Sequence, residues 1–308
     1  MSTTQSGTNR HPVVAYATLV RLPNLFTSPP DVILGAALAS TVAGRVSIPG
    51  VAGLAFASVL LYASGTTLND YVDAEEDARE RPERPIPAGD VSRRVALFVG
   101  VVLLVTGVEV ATVAGGAAGG ATAGALALAI LLYDGVFKGS AVGFLFMGVS
   151  RGLNVLLGVA AVGVAPTELP AWIILVPVLV VLYIAGVTYM AESETGADGR
   201  GPVLAATGGA AIATLGVAAL LVARRPPFVS VLVAVVLLVA FLGRVGRPLW
   251  AAYADPAPDV IGPAVGACVL GLVLLDAAVA AIAGVAWALA TVAFLVPAVG
   301  LARVFDVT

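Results

Sequence analysis

The chain has 308 residues, of which 59% are hydrophobic and 11% charged, with a net charge of −3. That composition excludes a soluble globular domain, and several apolar stretches reach the roughly 20 residues needed to cross a bilayer. The stretches are continuous rather than alternating, which excludes a β-barrel, and there is no basic tail of the kind that binds nucleic acid.

From the N-terminus, the first apolar stretch is broken by Arg21-Leu22-Pro23-Asn24 and lacks a small-residue cleavage site. It therefore reads as a span rather than a cleaved signal peptide. Candidate spans follow at 16–43 (beginning obliquely), 49–68, 94–114, 117–134, 141–163, 170–190, 203–223, 227–243, 262–282 and 285–304. The expectation is an all-α polytopic membrane bundle of nine to ten helices, forming one domain over 1–308. The run Gly115-Gly116-Ala117-Ala118-Gly119-Gly120 reads as a short outer turn, since the lysine of a phosphate-binding Walker loop is absent.

With the N-terminus in the cytoplasm, Arg10, Arg21, Arg79, Arg81, Arg84, Arg93, Arg94, Lys138, Arg200, Arg244, Arg247 and Arg303 fall inside. Only Arg45, Arg224 and Arg225 fall outside, so the positive-inside rule selects this orientation. The acidic segments 69–77 and 192–198 are separated by four spans and so share the cytoplasmic face. A span followed by an acidic segment occurs twice, which hints at a pseudo-repeat of helical halves.

The single cysteine, Cys268, and the single histidine, His11, leave no disulfide, no cysteine or histidine metal site and no catalytic imidazole. Carboxylates, tyrosines, arginines, Lys138 and a bound metal must carry any chemistry. The densest polar stretch is Asn69-Asp70-Tyr71-Val72-Asp73-Ala74-Glu75-Glu76-Asp77, immediately after an apolar run. On a helix Asn69, Asp73 and Asp77 share one face with Asp70 at its flank. Oxygen ligands at this spacing suit Mg²⁺ shared with a substrate phosphate. Arg79 to Pro87 then supply fixed positive charge, so the pair of segments reads as a diphosphate-handling site; a merely solvated acidic loop is the alternative.

Further along, Arg151 and Asn154 stand three apart inside an apolar run, where a charge faces the bundle interior or an aqueous cavity unless it snorkels. Lys138 either anchors phosphate or only satisfies the inside rule. Glu194 and Asp198 face the same way if their segment is helical, giving a second metal site or a polar loop; Gly196 between them weakens the helix. Asp276 is an intramembrane carboxylate that is functional, pairs with an arginine such as Arg151, or caps a kink. Glu109 reaches the outer interface. Tyr62, Tyr71, Tyr133, Tyr183 and Tyr189 are belt residues or π faces for a cation.

The stretch 69–77 matches NDxxDxxxD, the first motif of the UbiA superfamily of membrane prenyltransferases, which the chain resembles. Arg84-Pro85-Ile86-Pro87-Ala88-Gly89-Asp90-Val91-Ser92 is similar to the RPIPxGxxS that follows it. Tyr133-Asp134 with Lys138, and Arg151-Gly152-Leu153-Asn154 through Gly158, also have family counterparts. The resemblance implies a helical bundle, usually of nine spans, that uses Mg²⁺ to transfer an isoprenyl group from an isoprenyl diphosphate to an aromatic or other lipophilic acceptor. It implies that Asn69, Asp73 and Asp77 hold metal with Asp70 nearby, that Asp70, Asp73, Asp77 and Arg151 are catalytic, and that Asn69, Arg84, Lys138, Arg151 and Asn154 bind diphosphate. The setting implied is the cell membrane, with the acidic motifs cytoplasmic.

The second family motif, DxxxD, is replaced here by Glu192, Glu194 and Asp198, with Glu194 and Asp198 as its candidate metal ligands. That departure is similar to the EboC-like branch, and it makes a catalytically altered lipid-binding protein or transporter the alternative to an enzyme. The DGxxAR pattern of the CDP-alcohol phosphotransferases is missing.

Overall fold

The structure, a computed structural model, describes residues 10–163, 168–192 and 199–304. The expected first span over 16–43 is built from three pieces, α1 (Pro12–Leu19), α2 (Leu22–Leu25) and α3 (Pro29–Ala43). The break has a local cause. Arg21 takes a left-handed φ of 51°, which a helix cannot continue through, while Pro23, Pro29 and Pro30 occupy first-turn positions where a missing N–H costs nothing. Leu22–Ala43 is the most enclosed of the spanning stretches, 78% buried inside the bundle.

Around it stand α4 (Ile48–Val72), α5 (Ala74–Glu80), α6 (Arg93–Leu132), α7 (Ala141–Val159), α8 (Ala171–Glu192), α9 (Gly201–Arg224), α10 (Phe228–Ala254) and α11 (Pro258–Ala280), closed by α12 (Val285–Val292) and α13 (Leu295–Ala302). Ser47, Ser92 and Ser140 start α4, α6 and α7. Each side-chain oxygen accepts from the backbone N–H three residues on, at 3.1, 3.3 and 3.1 Å.

Among the described residues nine helical stretches are long and apolar enough to cross a membrane. One of them, Arg93–Phe137, has 45 residues, roughly twice what a bilayer accommodates. It folds back on itself. Gly116 leaves helical geometry at φ 63°, ψ −158°, and a Cβ on Gly119 would lie 2.4 Å from the carbonyl oxygen of Ala111. A continuous helix would hold those residues about 12 Å apart. Both limbs also lie along the same end of α4: Ser64 Oγ donates to Gly100 O at 2.8 Å, and Ile130 packs on Gly65. The expected spans 94–114 and 117–134 are these two limbs, so the nine stretches make ten passes.

The expected span 227–243 is extended by the structure. As α10 it continues through exposed Arg244 and Arg247 to Ala254, because a helix persists beyond the apolar run once its side chains are solvated. The last expected span, 285–304, is the bent pair α12 and α13.

α3 and α7 cross at backbone contact. A Cβ on Gly35 would sit 1.8 Å from Val155 O, and one on Gly158 would sit 1.9 Å from Val32 O. Small residues let helices approach this closely in a membrane, where packing and hydrogen bonding replace the hydrophobic drive.

Candidate active site

The last turn of α4 delivers Asn69 and Asp70, and Asp73 is the single residue between α4 and α5. The Asp73 N–H donates to Asn69 O at 2.9 Å and the Asp77 N–H donates to Asp73 O at 2.8 Å. The i, i+4 register therefore survives the junction, and the expected common face of Asn69, Asp73 and Asp77 is present.

Residues 81–92 return as consecutive turns, with the Arg84 N–H bonded to Arg81 O and the Ala88 N–H to Arg84 O. Gly89 supplies the left-handed turn at φ 81°. This brings Arg84 over the acids it follows. Its Nη1 lies 3.2 Å from Asp70 Oδ1 and 2.9 Å from Asp77 Oδ2. Asp70 and Asp77 are 4% and 5% exposed, so one guanidinium bridges two carboxylates removed from water.

Two more elements close the cluster. Arg21, at the α1–α2 break, places Nη2 3.1 Å from Asp70 Oδ1 and donates to Asn69 Oδ1 at 3.4 Å. The return limb of α6 widens into a π turn over Tyr133–Phe137, followed by Gly139 at φ 71°. That turn aims Asp134 and Lys138 at the same place. Asn69 Nδ2 donates to Asp134 Oδ1 at 2.9 Å, and Lys138 Nζ pairs with Asp73 Oδ2.

Four carboxylates (Asp70, Asp73, Asp77, Asp134) thus meet three cations (Arg21, Arg84, Lys138) at one end of the bundle. The end of α8 reaches the same place, since a Cβ on Gly139 would lie 3.2 Å from Glu192 Oε1. The candidate second-site residues Glu194 and Asp198 lie outside the described residues.

Arg151 and Asn154 are not part of this network. Arg151 donates through Nη2 to Thr27 O at 2.9 Å, and its Nη1 lies 3.2 Å from Asp31 Oδ2. Asn154 Nδ2 donates to Ser28 O at 2.8 Å and Asp31 Oδ2 at 2.9 Å. The link from Arg151 toward the acidic cluster is the ring of Tyr62 on α4, 5.9 Å from the guanidinium carbon. Glu109 is exposed in a groove with Ser47, Pro49 and Gly53.

Among the described residues no three His, Cys, Asp or Glu side chains converge as a metal-holding group. Asp73 and Asp77 are instead engaged by Lys138 and Arg84, and Asn69 by Asp134 and Arg21. The donor set is nonetheless carboxylate and amide oxygen throughout, the set that Mg²⁺ prefers. Sequence reading passed over Arg21, Asp31 and the Asn69–Asp134 bond. An Asp beside Pro29-Pro30 inside the first span was the available signal for Asp31.

Residues 32–201 match the UbiA prenyltransferase family. Among curated relatives, the digeranylgeranylglyceryl phosphate synthase of Methanopyrus kandleri is 38% identical over 99 residues, 32% of this chain and 35% of that one. The corresponding synthase of Natronomonas pharaonis is 37% identical over 124 residues, 40% of this chain and 44% of its own length. The matched segments thus span less than half of these relatives. Among solved structures, the apo form of a UbiA homolog from Aeropyrum pernix K1 aligns with a TM-score of 0.66 at 18% identity, covering 82% of this chain and 96% of that one. A UbiA homolog from Archaeoglobus fulgidus bound to DMAPP and Mg²⁺ aligns at 0.60 and 14% identity, covering 90% and 99%. At these identities the structures speak to the fold.

Proposed function

The chain belongs to the UbiA prenyltransferase family, and from that premise we propose that it transfers an isoprenyl group from an isoprenyl diphosphate to a lipophilic acceptor. Family and nine apolar stretches make it a multi-pass integral membrane protein. The observation that carries the proposed activity is the interleaved cluster of Asp70, Asp73, Asp77 and Asp134 with Arg21, Arg84 and Lys138.

Such a cluster suits a diphosphate accompanied by a divalent cation. Asn69, Asp73 and Asp77 would hold Mg²⁺, with Asp70 nearby, and Glu194 and Asp198 would add ligands from the second segment. The A. fulgidus homolog, bound to DMAPP and Mg²⁺, supports that choice of ion. When bound, the metal offsets negative charge on the departing diphosphate. Arg84, Arg21 and Lys138 would offer their charge to the phosphate oxygens of a bound diphosphate. Fixed cations aimed at charge that grows as the carbon–oxygen bond breaks stabilise the transition state more than the ground state. Arg151 and Asn154 would act from behind, holding the start of α3 and presenting a guanidinium to the ring of Tyr62 on α4.

With no histidine available, a cluster carboxylate is the proton acceptor for the incoming nucleophile, and Asp134 stands outside the predicted metal set. The relatives' names point to long isoprenyl diphosphates and phosphorylated glyceryl lipids as the first substrates to try. The inside bias of basic residues supports a cytoplasmic position for the cluster, at the face of the cell membrane.

The test is prenyl transfer by purified protein across a panel of isoprenyl diphosphates and lipophilic acceptors, with Asp73→Ala in parallel. Product formation is expected to require Mg²⁺ and to fall at least about 10²-fold in the variant, the scale of losing one electrostatic group from such a site. No transfer with any pair, or undiminished transfer by Asp73→Ala, overturns the assignment.

A further inference from the structure

Away from the acidic cluster, α3, α7 and α11 meet at a second polar group inside the membrane. Asp31 and Asp276 are both fully buried, and Arg151 and Asn154 are 8% and 4% exposed. Asp31 and Asp276 stand on helices packed against one another, and their carboxyl groups are close enough to interact.

Most of the donors here are committed elsewhere. Arg151 Nη2 donates to Thr27 O and Asn154 Nδ2 to Ser28 O and Asp31 Oδ2, while Arg151 Nη1, 3.2 Å from Asp31 Oδ2, makes no hydrogen bond. The neighbouring hydroxyl, Tyr183, donates to Cys268 O at 2.8 Å. Four acceptor oxygens remain buried without a partner: Asp31 Oδ1, Asn154 Oδ1 and both oxygens of Asp276.

The charges do not balance either. With both acids ionised, two negative charges face the one positive charge of Arg151, and all three groups are buried. A buried ion without a counter-charge is strongly disfavoured, and two carboxylates in direct contact repel unless a hydrogen lies between them.

We propose that Asp31 and Asp276 form an intramembrane proton-binding site, in which Asp276 is a neutral carboxylic acid donating to the Asp31 carboxylate that pairs with Arg151. A single proton supplies the missing donor and brings the cluster to neutrality. Its structural effect is to tie α11 to α3 and α7 through a hydrogen bond rather than an ion pair. A bound sodium ion is the competing occupant, and the direct approach of the two carboxyls favours the proton.

Infrared spectroscopy of the full-length protein in detergent reads this directly. The parent is expected to show a protonated-carboxyl carbonyl band at neutral pH that shifts when aspartate carboxyls carry ¹³C and that is absent from Asp276→Asn. The amide retains the shape of the neutral acid and one donor, so Asp276→Asn should melt within a few degrees of the parent, whereas Asp31→Asn, which strips Arg151 of its counter-ion, should melt much lower. Absence of the band in the parent overturns the proposal. So does a melting point that rises with sodium over choline at constant ionic strength, which would identify a metal cation instead. Absence of a ¹³C-sensitive band from the parent overturns the proposal even if the variants do not fold, and assignment of the band to Asp276 rests on its loss from Asp276→Asn.

Discussion

Asn69 and Asp134 are 65 residues apart in sequence, yet Asn69 Nδ2 donates to Asp134 Oδ1 at 2.9 Å. The same amide turns its oxygen to Arg21. One uncharged side chain therefore offers a donor to an anion and an acceptor to a cation, which a carboxylate of equal size cannot do. That bond joins the end of α4 to the π turn and brings Asp134 into the first motif's cluster.

Asn69→Asp should thus convert an attraction into a repulsion between adjacent acids. A charged hydrogen bond contributes about 1.5–3 kcal/mol, so affinity for an isoprenyl diphosphate analogue should drop roughly 10- to 100-fold. Isothermal titration on folded protein checks this, and unchanged affinity would leave the bond outside the binding site.

Arg21→Ala should raise the KM for isoprenyl diphosphate by roughly 10- to 100-fold, on the same scale for a lost charged contact. It removes a guanidinium from Asp70 and Asn69 together. Arg21→Lys should recover only part of the loss, because an ammonium lacks the planar fork. Steady-state kinetics with varied diphosphate settle it; a KM equal to the parent's would assign Arg21 to the structure of the α1–α2 break alone.

The acidic block was legible because Asp and Glu stand out in an apolar chain, and the register that holds Asn69, Asp73 and Asp77 on one face follows from helical spacing. The hairpin at Gly116 was legible from its glycines. Arg21 was not, because a basic residue beside a span already has an explanation in the inside rule, and its contact reaches 49 residues along the chain to Asp70. Arg151 stood out as an intramembrane charge, but its direct counter-ion is Asp31; Asp276, the expected candidate, lies against Asp31 instead. Long-range pairing between single charges on different helices leaves no periodic trace in a sequence.

Changing Glu194 and Asp198 together to Gln and Asn should raise the Mg²⁺ concentration needed for half-maximal binding of an isoprenyl diphosphate analogue. Amides keep size and hydrogen-bonding capacity but lose the charge that draws a hard cation. Superimposable Mg²⁺ titrations for parent and double variant would leave the first motif and its arginines as the whole site.

Gly158→Ala should destabilise the protein by about 1–3 kcal/mol, the scale of overpacking, because its new methyl meets the Val32 backbone rather than a side chain that can move. Gly124→Ala, on the return limb of α6 with nothing within 4 Å of the added carbon, is the control and should be nearly silent. Thermal unfolding in detergent compares them; equal melting points would mean α3 and α7 can separate freely.

The crossing of α3 and α7 also has a consequence for the order of synthesis. Asp31 enters the bilayer early, while Asn154, which bonds to it, is made 123 residues later. Until α7 leaves the ribosome, α3 carries a buried-type acid with neither amide nor guanidinium to meet it. A nascent chain arrested before residue 151 would hold α3 at the insertion machinery or in a watery crevice, and its settled place at the centre of the bundle would be taken only when α7 arrives.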